Sequence, residues 1–185
     1  MIKNTDQNYG PIAKLFHWVM GITIICLLII GFLLENLNYS FLYTAHKALG
    51  FLILILVIPR LLWRTNNPVP KYSKDVSKIM LPAANIIHYT FYILMVAIPL
   101  SAFIASNAAQ HSVSFLFLFD LPSFFDHKDQ ELAKTLMNIH KLLVWILLPL
   151  LGIHICAALY HHFVKKDNIM LRMLPSFFTK NRIKD

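Results

Sequence analysis

Charge is scarce in this sequence. Only 14% of its 185 residues are Asp, Glu, Lys or Arg, against roughly a quarter in an average soluble chain. A water-soluble enzyme, a disordered tail and a nucleic-acid binder all fit that poverty badly, so no nucleic-acid partner is expected. Cysteine is scarcer still. Cys26 and Cys156 both lie inside apolar runs, outside any CxxC or CxxCH pattern, which argues against a disulfide framework and against covalently attached haem. There is no internal repeat, low-complexity stretch, GxGxxG, P-loop or nucleophile elbow, so the usual signatures of nucleotide binding and hydrolysis are missing.

What the chain has instead is apolar length. Hydrophobic residues make up 57% of it and the mean hydropathy is +0.59, values that point to the bilayer as solvent. Uncharged runs cover Leu15–Leu34, Ile79–Ala109 and Leu142–Val164, each long enough to cross a hydrocarbon core of about 30 Å. A further run, Leu42–Trp63, carries Lys47 near one end and Arg60 near the other, where long side chains snorkel to the interface. The expectation is an all-α integral membrane four-helix bundle forming one domain over residues 1–185. Its helices are expected near 12–35, 40–64, 79–107 and 131–164, with an outer loop at 108–130 and a tail at 165–185. The first span is longer than a signal-peptide core and is followed by no small-residue cleavage site, so it is expected to remain as a helix. The aromatic segment Ser112–Phe125, interrupted by Asp120 and Pro122, is too short to span and is expected to lie in the interface or over the bundle mouth.

Four spans put both termini on one side. That side carries 13 of the 17 basic residues, whereas the opposite side has Lys47, Lys128, Lys134 and Lys141 set against five acids. The positive-inside rule then makes the termini cytoplasmic, with lipid as the surrounding partner.

Five of the nine histidines, His17, His46, His88, His140 and His154, fall inside the spans or within one to two turns of their ends. Ionisable groups at such depth are functional candidates by default. His140 and His154 are 14 residues apart, about 21 Å of helical rise and close to four whole turns, so they share a face near opposite membrane surfaces. Topology sets His17 level with His154 and His46 level with His140. Two stacked imidazole pairs are what two bis-histidine haems require, and iron held that way suits one-electron transfer. Zinc or copper would ordinarily gather three or four ligands into one cluster. His88, about two turns into the third helix, is read as a hydrogen-bonding residue near a haem or quinone, or as a substitute for His17 or His154. His161 and His162 are read as interfacial, and His111 and His127 as solvated. Trp18, Trp63 and Trp145 are read as interface anchors. Lys47 and Lys141 directly follow the two outer histidines, with Lys134 about two turns beyond His140. They are either ordinary interfacial lysines or a positive rim that neutralises propionates or steers a small anion.

Several segments carry a more specific signal: FHW at Phe16–Trp18, AHKALG at Ala45–Gly50, PRLLWR at Pro59–Arg64, HYTFY at His88–Tyr92, then IHKLL, GIHICAALYHH and the tail KKDNIMLRMLP ending at Pro175. In these the chain resembles the bacterial cytochrome b561 proteins over nearly its whole length. The resemblance implies two noncovalent haems b, one on His17 and His154 and one on His46 and His140. It also implies electron exchange with ubiquinone and, as an activity associated with the family, superoxide oxidation at the outer face. A related group, the cytochrome b subunits of hydrogenases and formate dehydrogenases, supplies the alternative of a membrane subunit fed by a partner enzyme. A haem-free transporter relaying protons through the same histidines is a third reading. Homo-oligomerisation stays open.

Overall fold

A computed structural model describes residues 2–37, 39–70, 80–115 and 118–175. Lys71, Lys74, Lys78, Lys180, Arg182 and Lys184 of the charge count lie outside the described residues, as does Ile79 at the expected start of the third helix. Four long helices form the body: α1 (Pro11–Leu34), α2 (Ser40–Thr65), α3 (Met80–Ala108) and α4 (Gln130–Tyr160). All four are long and apolar enough to cross a membrane. Their ends agree with the sequence expectation to within a few residues, because apolar length, not local propensity, sets them.

The sequence reading missed three features. The aromatic run beyond α3 folds into a two-stranded antiparallel hairpin, β1 (Val113–Phe115) with β2 (Phe119–Leu121), pairing Val113 with Leu121. A π-helical turn, His161–Lys165, ends the fourth span, and the tail then forms a short helix, α5 (Ile169–Met173). That turn closes at Lys166, which adopts a left-handed backbone with φ 54° and ψ 33°.

Polar side chains fasten the ends, where water is available and backbone groups run short of partners. Pro11 opens α1 directly after Gly10, a position suited to its missing N–H. The buried Asn4 accepts from the Gly10 amide at 2.9 Å and donates to the Pro68 carbonyl at 3.0 Å, joining the N-terminal segment to the α2–α3 connection. At the other end Asp129 caps α4 by accepting from the Leu132 amide at 2.9 Å, and its own N–H reaches the Ala108 carbonyl at the end of α3. Asn107 is only 2% exposed. Its amide donates to the Phe103 carbonyl and accepts from the Phe124 amide, and its own backbone carbonyl receives the Ser123 hydroxyl. One buried residue thus moors the loop that carries the hairpin.

The protein core is small. Met20, Ile53, Val57 and Met95 form its centre, flanked by Phe16, Ile24, Leu27, Leu56, Phe91 and Tyr92. Large side chains such as Ile22, Ile29, Ile58, Ile93 and Trp145 are exposed along the helices, as expected where lipid supplies the contact. Helix packing runs α1 on α2, α2 on α3 and α3 on α4, whereas α4 makes no comparable backbone packing with α1 or α2. The bundle is therefore open along one seam.

Truncating Asn107 to Ala strips the loop of its buried amide partners, and the expected cost is about 1–3 kcal/mol. A lowered Tm in detergent, with faster proteolysis between α3 and α4, is the predicted outcome.

Candidate functional site

The open seam is crossed by imidazoles. His17 of α1 and His154 of α4 have ring centroids 6.1 Å apart with their planes at 54°. Toward the other end, His46 of α2 and His140 of α4 have centroids 6.4 Å apart at 75°. The partners are those expected from helix depth. All four rings are half-buried. Tail and helix contacts mark the His17 end as the termini end: Lys14 Nζ donates to the Leu174 carbonyl at 2.8 Å and Trp18 Nε1 to the Met173 carbonyl at 2.9 Å.

At the loop end the surroundings orient both rings. His140 Nδ1 lies 2.9 Å from the Ile98 carbonyl. A carbonyl only accepts, so Nδ1 carries the proton and Nε2 keeps its lone pair. That carbonyl also takes the Ser101 hydroxyl at 2.8 Å, and it immediately precedes Pro99, which cannot continue the regular amide ladder of α3. The His46 ring rests against Gly31 of α1, where an added Cβ would stand 3.3 Å from its Cε1 and 3.9 Å from its Nδ1. A glycine is needed there so that the ring can lie close to the helix. The hairpin side is tied in as well, because Lys47 Nζ donates to the Ser112 carbonyl at 3.2 Å and sits 5.2 Å over the Tyr43 ring.

The termini end is more crowded. His88 approaches His154 with centroids 5.8 Å apart, and Phe91 packs edge-on to the same imidazole at 5.4 Å. His88 Nδ1 is buried without a hydrogen-bond partner among the described residues. Arg60, reaching from α2, donates from Nη1 to the Phe16 carbonyl at 2.9 Å, beside His17. Arg60 and Arg64 flank the Tyr92 ring at 5.7 and 5.9 Å.

This geometry can be set beside known proteins. The model for "Prokaryotic cytochrome b561" matches residues 8–176. The chain belongs to the prokaryotic cytochrome b561 family. It is 31% identical over 176 residues to "Cytochrome b561 homolog 2" of Escherichia coli K12, spanning 92% of this chain and 93% of that protein. A "Probable superoxide oxidase" of Yersinia pestis is 34% identical over 133 residues, or 70% of this chain and 73% of its own length. "Cytochrome b561 homolog 1" of Escherichia coli K12 is 29% identical over 138 residues, 75% and 77% of the two chains.

Members of this cytochrome b561 family typically bind haem b, and the residues present fit such a group. Two imidazole nitrogens sharing one metal at about 2 Å each hold their ring centroids roughly 6 Å apart, the spacing of both pairs. Backbone packing is sparse between α4 and both α1 and α2, where the pairs lie, and the His140–Ile98 contact supplies the backbone partner that a ligating histidine ordinarily has on its other nitrogen.

The remaining sequence expectations fall on both sides. His111, His127, Lys134 and Lys141 are exposed. Lys47 is half-buried and already engaged, whereas Lys134 and Lys141 remain exposed on α4. Of the tryptophans, Trp145 is 64% exposed toward the lipid side, whereas Trp18 is a tail contact rather than a free anchor. Trp63 Nε1 is buried and unpartnered among the described residues. Sequence reasoning missed Gly31, the Ile98 carbonyl, Phe91 and the tail strap on Lys14 and Trp18. A glycine inside an apolar helix facing a histidine one turn into the next was the available signal for the first. Gly31→Val is expected to displace the His46 ring and lower the haem retained per chain, whereas Gly21→Val, where the added group meets open space, leaves it unchanged. Pigment absorbance per mole of purified protein measures both.

Proposed function

We propose that this cytochrome is a dihaem electron carrier of the bacterial inner membrane, with both termini cytoplasmic, that transfers electrons from superoxide at the outer face to ubiquinone in the membrane. The observation carrying this reading is the presence of two imidazole pairs, at 6.1 and 6.4 Å, stacked along α4. His17 and His154 would hold the haem at the termini end, and His46 and His140 the one at the loop end. The orientation rests on the bias of Lys and Arg toward the termini side. Superoxide as donor is supported by similarity to the Yersinia protein whose name is "Probable superoxide oxidase".

When bound, haem b supplies reversible one-electron chemistry. The chain's own residues do the rest. Ile98 fixes the His140 tautomer and leaves the Nε2 lone pair available as a ligand. Gly31 lets His46 lie close against α1. Phe91 and the Met20–Ile53–Val57–Met95 cluster keep water from the region of the His154 end, where a dry environment strengthens charge interactions. His88, whose Nδ1 has no partner among the described residues, is a hydrogen-bonding residue for a haem edge or a quinone at the same end. At the outer mouth Lys141 and Lys134 stand exposed, where they attract a small anion through the field they project into solvent. Lys47 stiffens the hairpin behind them.

Two measurements test this reading. Wild-type protein made under saturating haem supply is expected to hold two haems per chain, and His140→Ala to lose the loop-end haem while the spectrum of the other survives. Survival of both in that variant contradicts the assignment. Superoxide-driven ubiquinone reduction is expected to slow several-fold in Lys134→Gln with Lys141→Gln, most strongly at low ionic strength. A rate independent of both the substitutions and the salt removes the steering role.

A further inference from the structure

The last two turns of α2 carry two arginines four residues apart, Arg60 and Arg64, which therefore stand on one side of the helix. Arg64 belongs to the final turn, where a cation answers the partial negative charge of the helix end. Arg60 lies deeper, inside the span. A guanidinium at that depth is costly unless something anionic meets it, and it cannot shed its proton to escape the cost. Of its five N–H donors, one meets the Phe16 carbonyl from Nη1, and the same nitrogen lies 3.8 Å from Met20 Sδ, a weak acceptor. Among the described residues no carboxylate reaches either arginine. The pair calls for an anion from elsewhere.

Both arginines line a recess of about 40 Å³ together with Phe16 of α1, Trp63 of α2, Tyr92 of α3 and Met173 of the tail. No acid lines it. Trp63 brings an indole N–H that is buried and has no acceptor among the described residues, a condition that costs free energy until an acceptor arrives. Permanent charge on the two guanidinium groups makes the recess selective for an anion, and its size narrows the choice. At roughly 10–15 Å³ for each water-sized group, it admits about three heavy atoms, which is a carboxylate; a phosphate has five. The planar fork of arginine also matches a carboxylate oxygen for oxygen. Phe16 directly precedes His17, so the recess adjoins the termini-end imidazole pair, and the charge of Arg60 reaches His17, His88 and His154 alike.

We propose that the recess between Arg60, Arg64 and Trp63 is a carboxylate site, and that it takes a propionate side chain of the haem held by His17 and His154. The inference rests on that haem being present. Haem b carries its only carboxylates on its two propionates, so a propionate in the recess fixes which way the macrocycle faces between the two imidazoles. The Arg60 charge also favours the reduced, less positive state of the iron, so it raises the potential of this haem.

The test uses intact, haem-loaded protein from cells fed 5-aminolevulinate with carbon-13 at C1, a label that reaches only the propionate carboxyl groups of the haem. Infrared difference spectra of labelled minus unlabelled protein then isolate those carboxylates. Arg60→Gln and Trp63→Phe are each expected to shift a labelled band, whereas Lys128→Gln, in the outer loop and exposed, leaves every band in place. In a redox titration Arg60→Gln is expected to lower the midpoint of one haem alone by about 59 mV, a tenfold change for one electron, and Arg60→Lys to recover most of it. Trp63→Phe carries the infrared comparison should Arg60→Gln fail to retain haem. Labelled bands that stay in place in both variants overturn the inference and leave Arg60 as a clasp between α1 and α2. A band that appears only on adding labelled acetate to unlabelled protein, and that Arg60→Gln abolishes, assigns the recess to a free anion and overturns it too. An unchanged haem count in His154→Ala instead refutes the haem assignment beneath it.

Discussion

An imidazole inside a bilayer needs something to answer its nitrogens, because lipid offers neither donor nor acceptor and each unmet polar group costs several kcal/mol. This constraint governs the architecture. Helix α4 packs along α3 but stands off from α1 and α2, and the seam left between them is bridged by His17 with His154 and by His46 with His140. A bundle designed only to bury protein surface would close that seam with small residues. Here it stays open at the spacing that one metal between two rings requires. On our reading haem is thus as much a structural member of the bundle as its redox centre.

The supports of the two pairs differ in kind. At the loop end backbone does the work: the Ile98 carbonyl beside Pro99 fixes one ring and the bare Gly31 seats the other. At the termini end side chains dominate, with His88 and Phe91 against His154 and Arg60 anchored on the Phe16 carbonyl. Unequal surroundings of this sort change the polarity and hydrogen bonding around otherwise identical ligands, which are levers that separate redox potentials. The tail then returns across α1 through Lys14 and Trp18, which adds a backbone strap at the termini end.

Much of this was legible in the sequence. The four spans follow from apolar length alone, and the 14-residue interval between His140 and His154 gives their shared face because helical geometry is fixed. Pairing with His17 and His46 followed from depth, and the structure brings the same rings together. The hairpin at Val113–Leu121 was not legible, since an aromatic run of that length is equally consistent with an interfacial segment. Gly31 was signalled only jointly with His46, because its role depends on a ring presented by a different helix. Lys47 reads in sequence as a surface charge but is drawn inward by the Ser112 carbonyl, a partner 65 positions away that only the folded loop provides. His161 was read as merely interfacial. Its contact with Asp167 was not legible, because the π turn and left-handed Lys166 that bring the carboxylate back onto it arise only in the folded chain.

Low-temperature electron paramagnetic resonance of the oxidised protein tests the central claim most directly, since it reports the axial ligands of each iron. Two bis-imidazole grips predict low-spin ferric signals that integrate to two irons per chain, with no high-spin component. A high-spin signal, or a single iron per chain in fully loaded protein, contradicts the account.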